Sequence, residues 1–302
     1  MMIIGNQEAR NRLQTYLEQH AVASSGQVSF FLLYGPANIG KAAIALELAQ
    51  SYLGIYAQGG LLHIKDMSAI LGKKHSIKIA EKSETEEYKT LYEEHHYQDL
   101  GVREINNWLQ QSAFGGSKIL LIENIERMTS EATNAFLKAC EEPLPNRVII
   151  ATTSNKSKIL ETILSRAISI PFSPLSEQEM EQYIKEKNIQ IHSPEVKELL
   201  IMMAMGKPGT LENFAEQLAK DEERQNDIQK LIKILPYPGK IVEKYKIFEK
   251  FKEQGILEQF LDGWIAYCTH HHISHTTNRL KVKRLFQGNI SKENVILYGL
   301  LG

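Results

Sequence analysis

The residues best suited to chemistry are Gly35-Pro36-Ala37-Asn38-Ile39-Gly40-Lys41, a GxxxxGK run. It follows the apolar stretch Val28 to Tyr34 and precedes a helical pattern at Ile44, Ala45, Leu48, Ala49 and Tyr52. Between a strand and a helix, glycines at this spacing turn backbone N–H groups onto a phosphate, the helix start favours the anion, and the lysine reaches the outer phosphates. The next position, where Ser or Thr would hold Mg²⁺, is Ala42, which has no oxygen to offer. A second apolar run, Ile119 to Asn124, ends in Glu123-Asn124 where a nucleotide hydrolase carries two carboxylates, one for Mg²⁺ and one for the attacking water. Glu123 can face a metal, whereas Asn124 cannot accept a proton as a carboxylate does. A third run, Arg147 to Thr153, ends in hydroxyls, and Thr153 stands where a polar strand end can sense a terminal phosphate. Ser165-Arg166 follows a short helical stretch, and an arginine projected from there can stabilise charge on a neighbour's phosphates.

The elements that must position these groups are organised around Leu120 to Pro143, where a buried strand delivers polar groups to its carboxyl end and runs into a helix. Open α/β sheets keep their ligands at such strand ends. Ala132, Ala135, Phe136, Ala139 and Cys140 share the face that packs on the sheet, and Pro143 closes the helix. Ahead of the loop, Gln7 to Leu17 reads as a surface helix with Leu13 and Leu17 inward. Ala57 to Tyr97 is charged and irregular, with Leu61 to Ile64 as a short strand; Leu100 to Phe114 returns to a helical pattern broken by Gly115-Gly116. His63, His75, His95 and His96 lack regular spacing or a nearby cysteine, so this stretch reads as solvated faces rather than a zinc site.

The totals bound the answer. A chain of 302 residues with 43% hydrophobic content can bury a sizeable core and form two or three domains. Thirty-five basic and thirty-six acidic residues give a net charge of −1, so no global basic field points to nucleic acid, and any DNA contact is local or through partners. Cys140 and Cys268 are too few for a disulfide framework or a structural zinc site, which suits a reducing cytoplasm. The start MMIIGNQEARNRL has no basic leader and no run of eighteen apolar residues occurs, so secretion and helical membrane spanning are not expected.

Taken together, the motifs IIGNQEA, GPANIGK, LLIENIERMTSEATNAFLKACEEPLPN, IIATT, ILSRA and MGKPGTL resemble the clamp-loader branch of the AAA+ family. The resemblance covers roughly residues 1–215 by motif and the remainder by size and helical character. It implies an α/β P-loop core with a parallel sheet over 1–173, a small helical lid over 174–220 and an all-α C-terminal collar over 221–302. It places Gly35, Gly40, Lys41 and Ala42 in the nucleotide loop, Glu123 and Asn124 in the second motif, Thr153 as first sensor, Arg166 as an arginine finger acting in trans, and Gly209 where active relatives carry a second-sensor arginine. The departures at Ala42, Asn124 and Gly209 imply a non-hydrolysing subunit, its own site holding ATP or ADP without hydrolysis or nothing, with no metal. The implied partners are the loader's ATPase subunits and its delta subunit and, through the complex, a sliding clamp and primed DNA. An autonomous AAA+ ATPase acting on DNA is the alternative, and a small-molecule P-loop kinase a third reading that lacks the paired lid arginines.

Within the expected lid, Ser176 and Glu179 make a capping box, Ser193-Pro194 starts a second helix that Gly206 ends, and Thr210 caps a third. Leu235 to Gly239 breaks the helical tail. His270, His271, His272 and His275 read as a solvated helix end rather than a metal site, and Arg279, Lys281, Lys283 and Arg284 as the wet face of an amphipathic helix.

Overall fold

A computed structural model describes residues 4–22, 29–66, 76–78, 100–112, 116–141, 144–191, 193–234 and 241–270. The chain divides into two compact units, Met1–Ser173 and Pro174–Gly302.

The first unit is built on five parallel strands, β1 (Ser29–Tyr34), β2 (Leu61–Ile64), β3 (Lys118–Ile122), β4 (Arg147–Thr153) and β5 (Ile168–Pro171), in the order β2-β3-β4-β1-β5. Its helices are α1 (Gln7–Val22), α2 (Lys41–Leu53), α3 (Ala57–Gly60), α4 (Val102–Gln110), α5 (Ser130–Glu141) and α6 (Glu161–Leu164). Every residue of β3 and β4 is buried, as a parallel strand covered on both faces requires. Alternation along the strands assigns the two faces. Phe31, Leu33, Ile119, Leu121, Val148 and Ile150 pack with Leu13 and Leu17 of α1 and Ile44, Leu48 and Leu53 of α2. Phe30, Leu32, Leu120, Ile122 and Ile149 pack with Val102, Ile105 and Leu109 of α4, Phe136 and Cys140 of α5 and Ile163 of α6.

Two cations lie buried at the amino ends of the central strands, where Lys118 pairs in register with Arg147. Lys118 Nζ donates to Trp108 O at 2.7 Å, while Arg147 Nε donates to Leu109 O at 2.8 Å and its Nη2 to Gln111 O at 2.7 Å. These are carbonyls at and just past the α4 carboxyl end, which carries partial negative charge. The cations therefore tie α4 to the sheet.

In the second unit the helices are α7 (Glu177–Glu186), α8 (Pro194–Ala204), α9 (Pro208–Lys220), α10 (Glu222–Ile234), α11 (Ile241–Glu253) and α12 (Leu257–His270). The capping box at Ser176 and Glu179 is present, and Ser193 caps α8 through Val196 N with Pro194 in its first turn. Thr210 does not cap α9. That helix starts two residues earlier, because Pro208 takes its first turn and its fixed φ suits that position. One core cluster joins Leu199, Leu200 and Met203 of α8 and Phe214 and Leu218 of α9 to Leu231, Phe248, Phe251, Phe260 and Trp264 further along the chain. Residues from both the expected lid and the expected collar thus share it. Met205 and Gly206 close α8 with positive φ. The predicted break at Leu235 to Gly239 falls outside the described residues.

No helix among the described residues is long and apolar enough to cross a membrane. Among them, too, no group of three His, Cys, Asp or Glu could hold a metal ion. His75, His95, His96, His271, His272 and His275 lie outside the described residues.

Candidate functional site

The GxxxxGK loop leaves the carboxyl end of β1 and enters α2. Gly35 takes φ 151°, Asn38 φ 62° and Gly40 φ 89°, and Gly40 supplies the residue before α2 with no side-chain cap. Gly35 N donates to Thr153 O at 3.3 Å, fixing the loop to the end of β4. Lys41 is buried, and its Nζ donates to Gly35 O at 2.8 Å and Pro36 O at 2.6 Å. Burial pushes its ammonium from the ordinary 10.5 down to about 8, opposed by the negative charge of Glu126. Ala42 sits in the first turn of α2 and offers no hydroxyl. The loop's amides and ammonium fit a phosphate, whereas the donor set for a metal ion beside it is incomplete at Ala42 and Asn124.

The end of β3 is drawn toward β2. Glu123 Oε1 lies 2.7 Å from His63 Nε2, and its Oε2 accepts from Asp66 N at 3.0 Å. Asn124, at φ 49°, donates from its backbone to Thr152 Oγ1 at 3.0 Å and from Nδ2 to Asp66 Oδ2 at 2.6 Å. Asp66 also pairs with Arg127. Glu123 and Asn124 are thereby held in one polar network at the ends of β2 and β3, separated from β1 by β4. Thr153 is buried at the end of β4, where its Oγ1 accepts from Asn155 N at 3.0 Å. Of the residues expected from sequence, the structure brings together Gly35, Gly40, Lys41, Ala42 and Thr153. Glu123 is turned to partners on the β2 side, and Asn124 bridges Asp66 and Thr152 of β4.

Arg166 belongs to the other end of the sheet. It precedes β5, whose four residues run parallel to β1. The start of β5, level with Phe31, and the loop at Gly35 are therefore separated along the strands by about 13 Å, at ~3.3 Å per residue, and Arg166 lies before that start.

The family model described as "DNA polymerase III, delta subunit" matches residues 5–176, more than half of the 302-residue chain. The chain belongs to that family. The family expected from the motifs is borne out. Among curated relatives, the DNA polymerase III subunit delta prime of Pseudomonas aeruginosa is 27% identical over 212 residues, covering 67% of this chain and 61% of the relative. The subunit of the same name from Haemophilus influenzae is 30% identical over 181 residues, covering 56% and 54%. The matches thus span less than two thirds of those relatives' own length. A solved structure of a mutant RuvB from Thermotoga maritima superposes with a TM-score of 0.51 at 13% identity, covering 98% of this chain and 82% of that one. This shows the fold, a parallel sheet flanked by helices with a mostly helical second part.

In this member of the delta subunit family, sequence reasoning missed Glu126. It sits on the short 3-10 turn after β3 (Ile125–Arg127), and its Oε1 accepts from Ser154 N and Ser154 Oγ, each at 2.9 Å. Its Oε2 is buried without a hydrogen-bond partner. Glu126, rather than Glu123, is the carboxylate whose charge acts on Lys41. The available signal was a second acidic residue one turn beyond the strand end, and only the path of that turn distinguishes the two. Cys140 is inert by contrast, its thiol pushed up to about 12 mainly by burial.

Proposed function

We propose that this chain is a delta prime-type subunit of the clamp loader of a DNA polymerase III holoenzyme, a stator that does not hydrolyse ATP itself. On this reading Arg166 is an arginine finger for ATP held by a neighbouring ATPase subunit. The other partners are a delta subunit and, through the complex, a sliding clamp and primed DNA in the cytoplasm. The second unit serves as a lid (174–220) and a collar (221–302) that assembles with the sister subunits.

One observation carries the reading. Arg166 is part-exposed at the amino end of β5 while the chain's own loop lies at the carboxyl end of β1. Such an arginine is out of reach of the loop in cis and available to a nucleotide on another chain. Three positions support the stator half of the reading. Ala42 lacks the metal-holding hydroxyl, Asn124 lacks the carboxylate that would activate water, and Gly209, in the first turn of α9, has no side chain to send to a phosphate. Any ATP or ADP on this chain would be held by the loop amides, Gly35, Gly40 and Lys41, without turnover.

The test is light-scattering chromatography of this chain with its organism's loader ATPase subunits, followed by DNA-stimulated ATP turnover with wild type and Arg166→Ala. A stable mixed complex whose turnover drops several-fold is expected, since a finger is worth ~10³ or more at its own site while the other sites keep working. No complex, together with Lys41-dependent turnover by this chain alone, would replace the stator with an autonomous ATPase.

A further inference from the structure

Arg166 is held within its own domain. Its Nη2 donates to Glu141 Oε1 at 2.9 Å and its Nη1 to Thr162 O at 2.7 Å, with Ser165 Oγ at 3.5 Å. Glu141 is the last residue of α5 and Thr162 belongs to α6, so two separate elements grip one guanidinium. Glu141 sits at the carboxyl end of α5, where partial negative charge favours a cation and where the carboxylate would otherwise face an unfavourable dipole. Side-chain exposure is 35% for Arg166 and 47% for Glu141. A pair this exposed adds little to stability. What it does supply is orientation, because arginine has five N–H donors in a fixed plane. With both Nη1 hydrogens directed at Thr162 O and Ser165 Oγ and one Nη2 hydrogen at Glu141, the second Nη2 hydrogen and Nε are left for an incoming anion.

We propose that Glu141 is a positioning residue for Arg166, holding the guanidinium plane in the pose in which it meets the neighbouring subunit's nucleotide phosphates. This rests on the trans role argued above. A long side chain anchored before encounter arrives oriented, and orientation set in advance is gained only at the step that uses it. Loss of Glu141 therefore acts on turnover more than on nucleotide binding by the neighbour.

The experiment uses the reconstituted loader complex carrying wild type, Glu141→Ala, Glu141→Gln or Arg166→Ala, with assembly checked by light scattering. The readout is the Arg166-dependent part of DNA-stimulated turnover, defined by the difference between wild type and Arg166→Ala. Glu141→Ala is expected to lower kcat of that part roughly tenfold with KM little changed. Glu141→Gln, whose amide oxygen still accepts from Nη2, should restore most of it. Turnover of Glu141→Ala equal to or above wild type overturns the inference, and so does a Gln variant as impaired as Ala. If Arg166→Ala itself changes nothing, the trans role fails first, and the two failures are thereby told apart. A second measurement needs only the isolated chain. Nitrogen-15 NMR of the arginine side chains should show slowed rotation of the Arg166 guanidinium in wild type and faster rotation in Glu141→Ala, where only the Thr162 anchor remains. Free rotation in wild type refutes the anchoring.

Discussion

Gly35→Ala should damage the first unit far more than Gly40→Ala, although both glycines belong to the same motif and both have positive φ. At Gly40, φ is 89° and an added methyl meets nothing within 4 Å. The substitution therefore measures backbone strain alone, about 1–2 kcal/mol. At Gly35, φ is 151° and the methyl would overlap the carbonyl oxygen of Phe172, with Ile39 Cδ1 at 3.0 Å. That carbonyl cannot swing aside as a side chain can, because its peptide plane is held by Ser173 N, which donates to Asn6 Oδ1 at 2.8 Å. Overpacking of this kind adds about 1–3 kcal/mol, so Gly35→Ala is expected to cost roughly 2–5 kcal/mol in all. With ~2 kcal/mol per molar of urea, the unfolding midpoint should fall by about 1–2.5 M. The two tryptophans divide conveniently, Trp108 on α4 in the first unit and Trp264 on α12 in the second. Urea titration followed by Trp108 fluorescence in a Trp264→Phe background reads the first unit. A Gly35→Ala midpoint equal to or above that of Gly40→Ala would refute the reasoning, since it would mean that the Phe172 carbonyl does not constrain the loop.

Lys41 has a folded pKa of about 8 against the ordinary 10.5, so between those values the unfolded chain binds more protons and stability rises with pH. The gain is absent in Lys41→Met, and the urea midpoint of wild type relative to that variant should climb between pH 8 and 10; a flat difference would show an unperturbed amine. Mapping acetylation rates by mass spectrometry should place the Lys41 midpoint near 8, and Glu126→Gln should move it lower still, because the Glu126 charge is what holds it up. A higher midpoint in that variant would show that Glu126 does not act on the lysine. In the second unit, a methyl at Gly263 would collide with Met203, including its backbone N and Cα, each at 2.9 Å. Backbone contacts outweigh the ~1 kcal/mol of helix propensity that alanine brings, so Gly263→Ala should lose about 1–3 kcal/mol, read by Trp264 fluorescence.

What the sequence revealed follows the range of the interactions involved. The strands were legible because β1, β3 and β4 are continuous apolar runs, and the loop because its glycine spacing is local. The α7 and α8 caps rest on residues three apart and were read correctly, whereas Thr210 was misplaced because Pro208 competed for the same first turn. Glu123 was recognisable as a strand-end carboxylate, but its partners His63 and Asp66 lie 60 and 57 residues away and depend on β2 lying next to β3. The anchor of Arg166 is hidden in the same way. Glu141 lies 25 residues earlier, and nothing in the spacing tells that α5 and α6 end side by side.

The presence of a GxxxxGK loop in a chain that lacks Ala42's usual hydroxyl and a carboxylate at Asn124 has a physical reason that does not involve nucleotide. Gly35 is required by the close approach of the Phe172 carbonyl, a contact of β1 with the chain leaving β5. Lys41 closes the loop on itself through Gly35 O and Pro36 O, and removing its amine would take the donor from two loop carbonyls. Ala42 and Asn124 carry no comparable burden. A hydroxyl at 42 would serve a ligand, and Asn124 already satisfies Asp66 through its amide as a carboxylate could not. The signature therefore separates into a part that the fold needs and a part that only hydrolysis would need. Arg166 belongs to neither, since its exposed pair contributes little to stability and it lies at the far end of the sheet from the loop. A group that the fold does not need and that stands apart from its own loop supports the proposed role on a neighbouring chain.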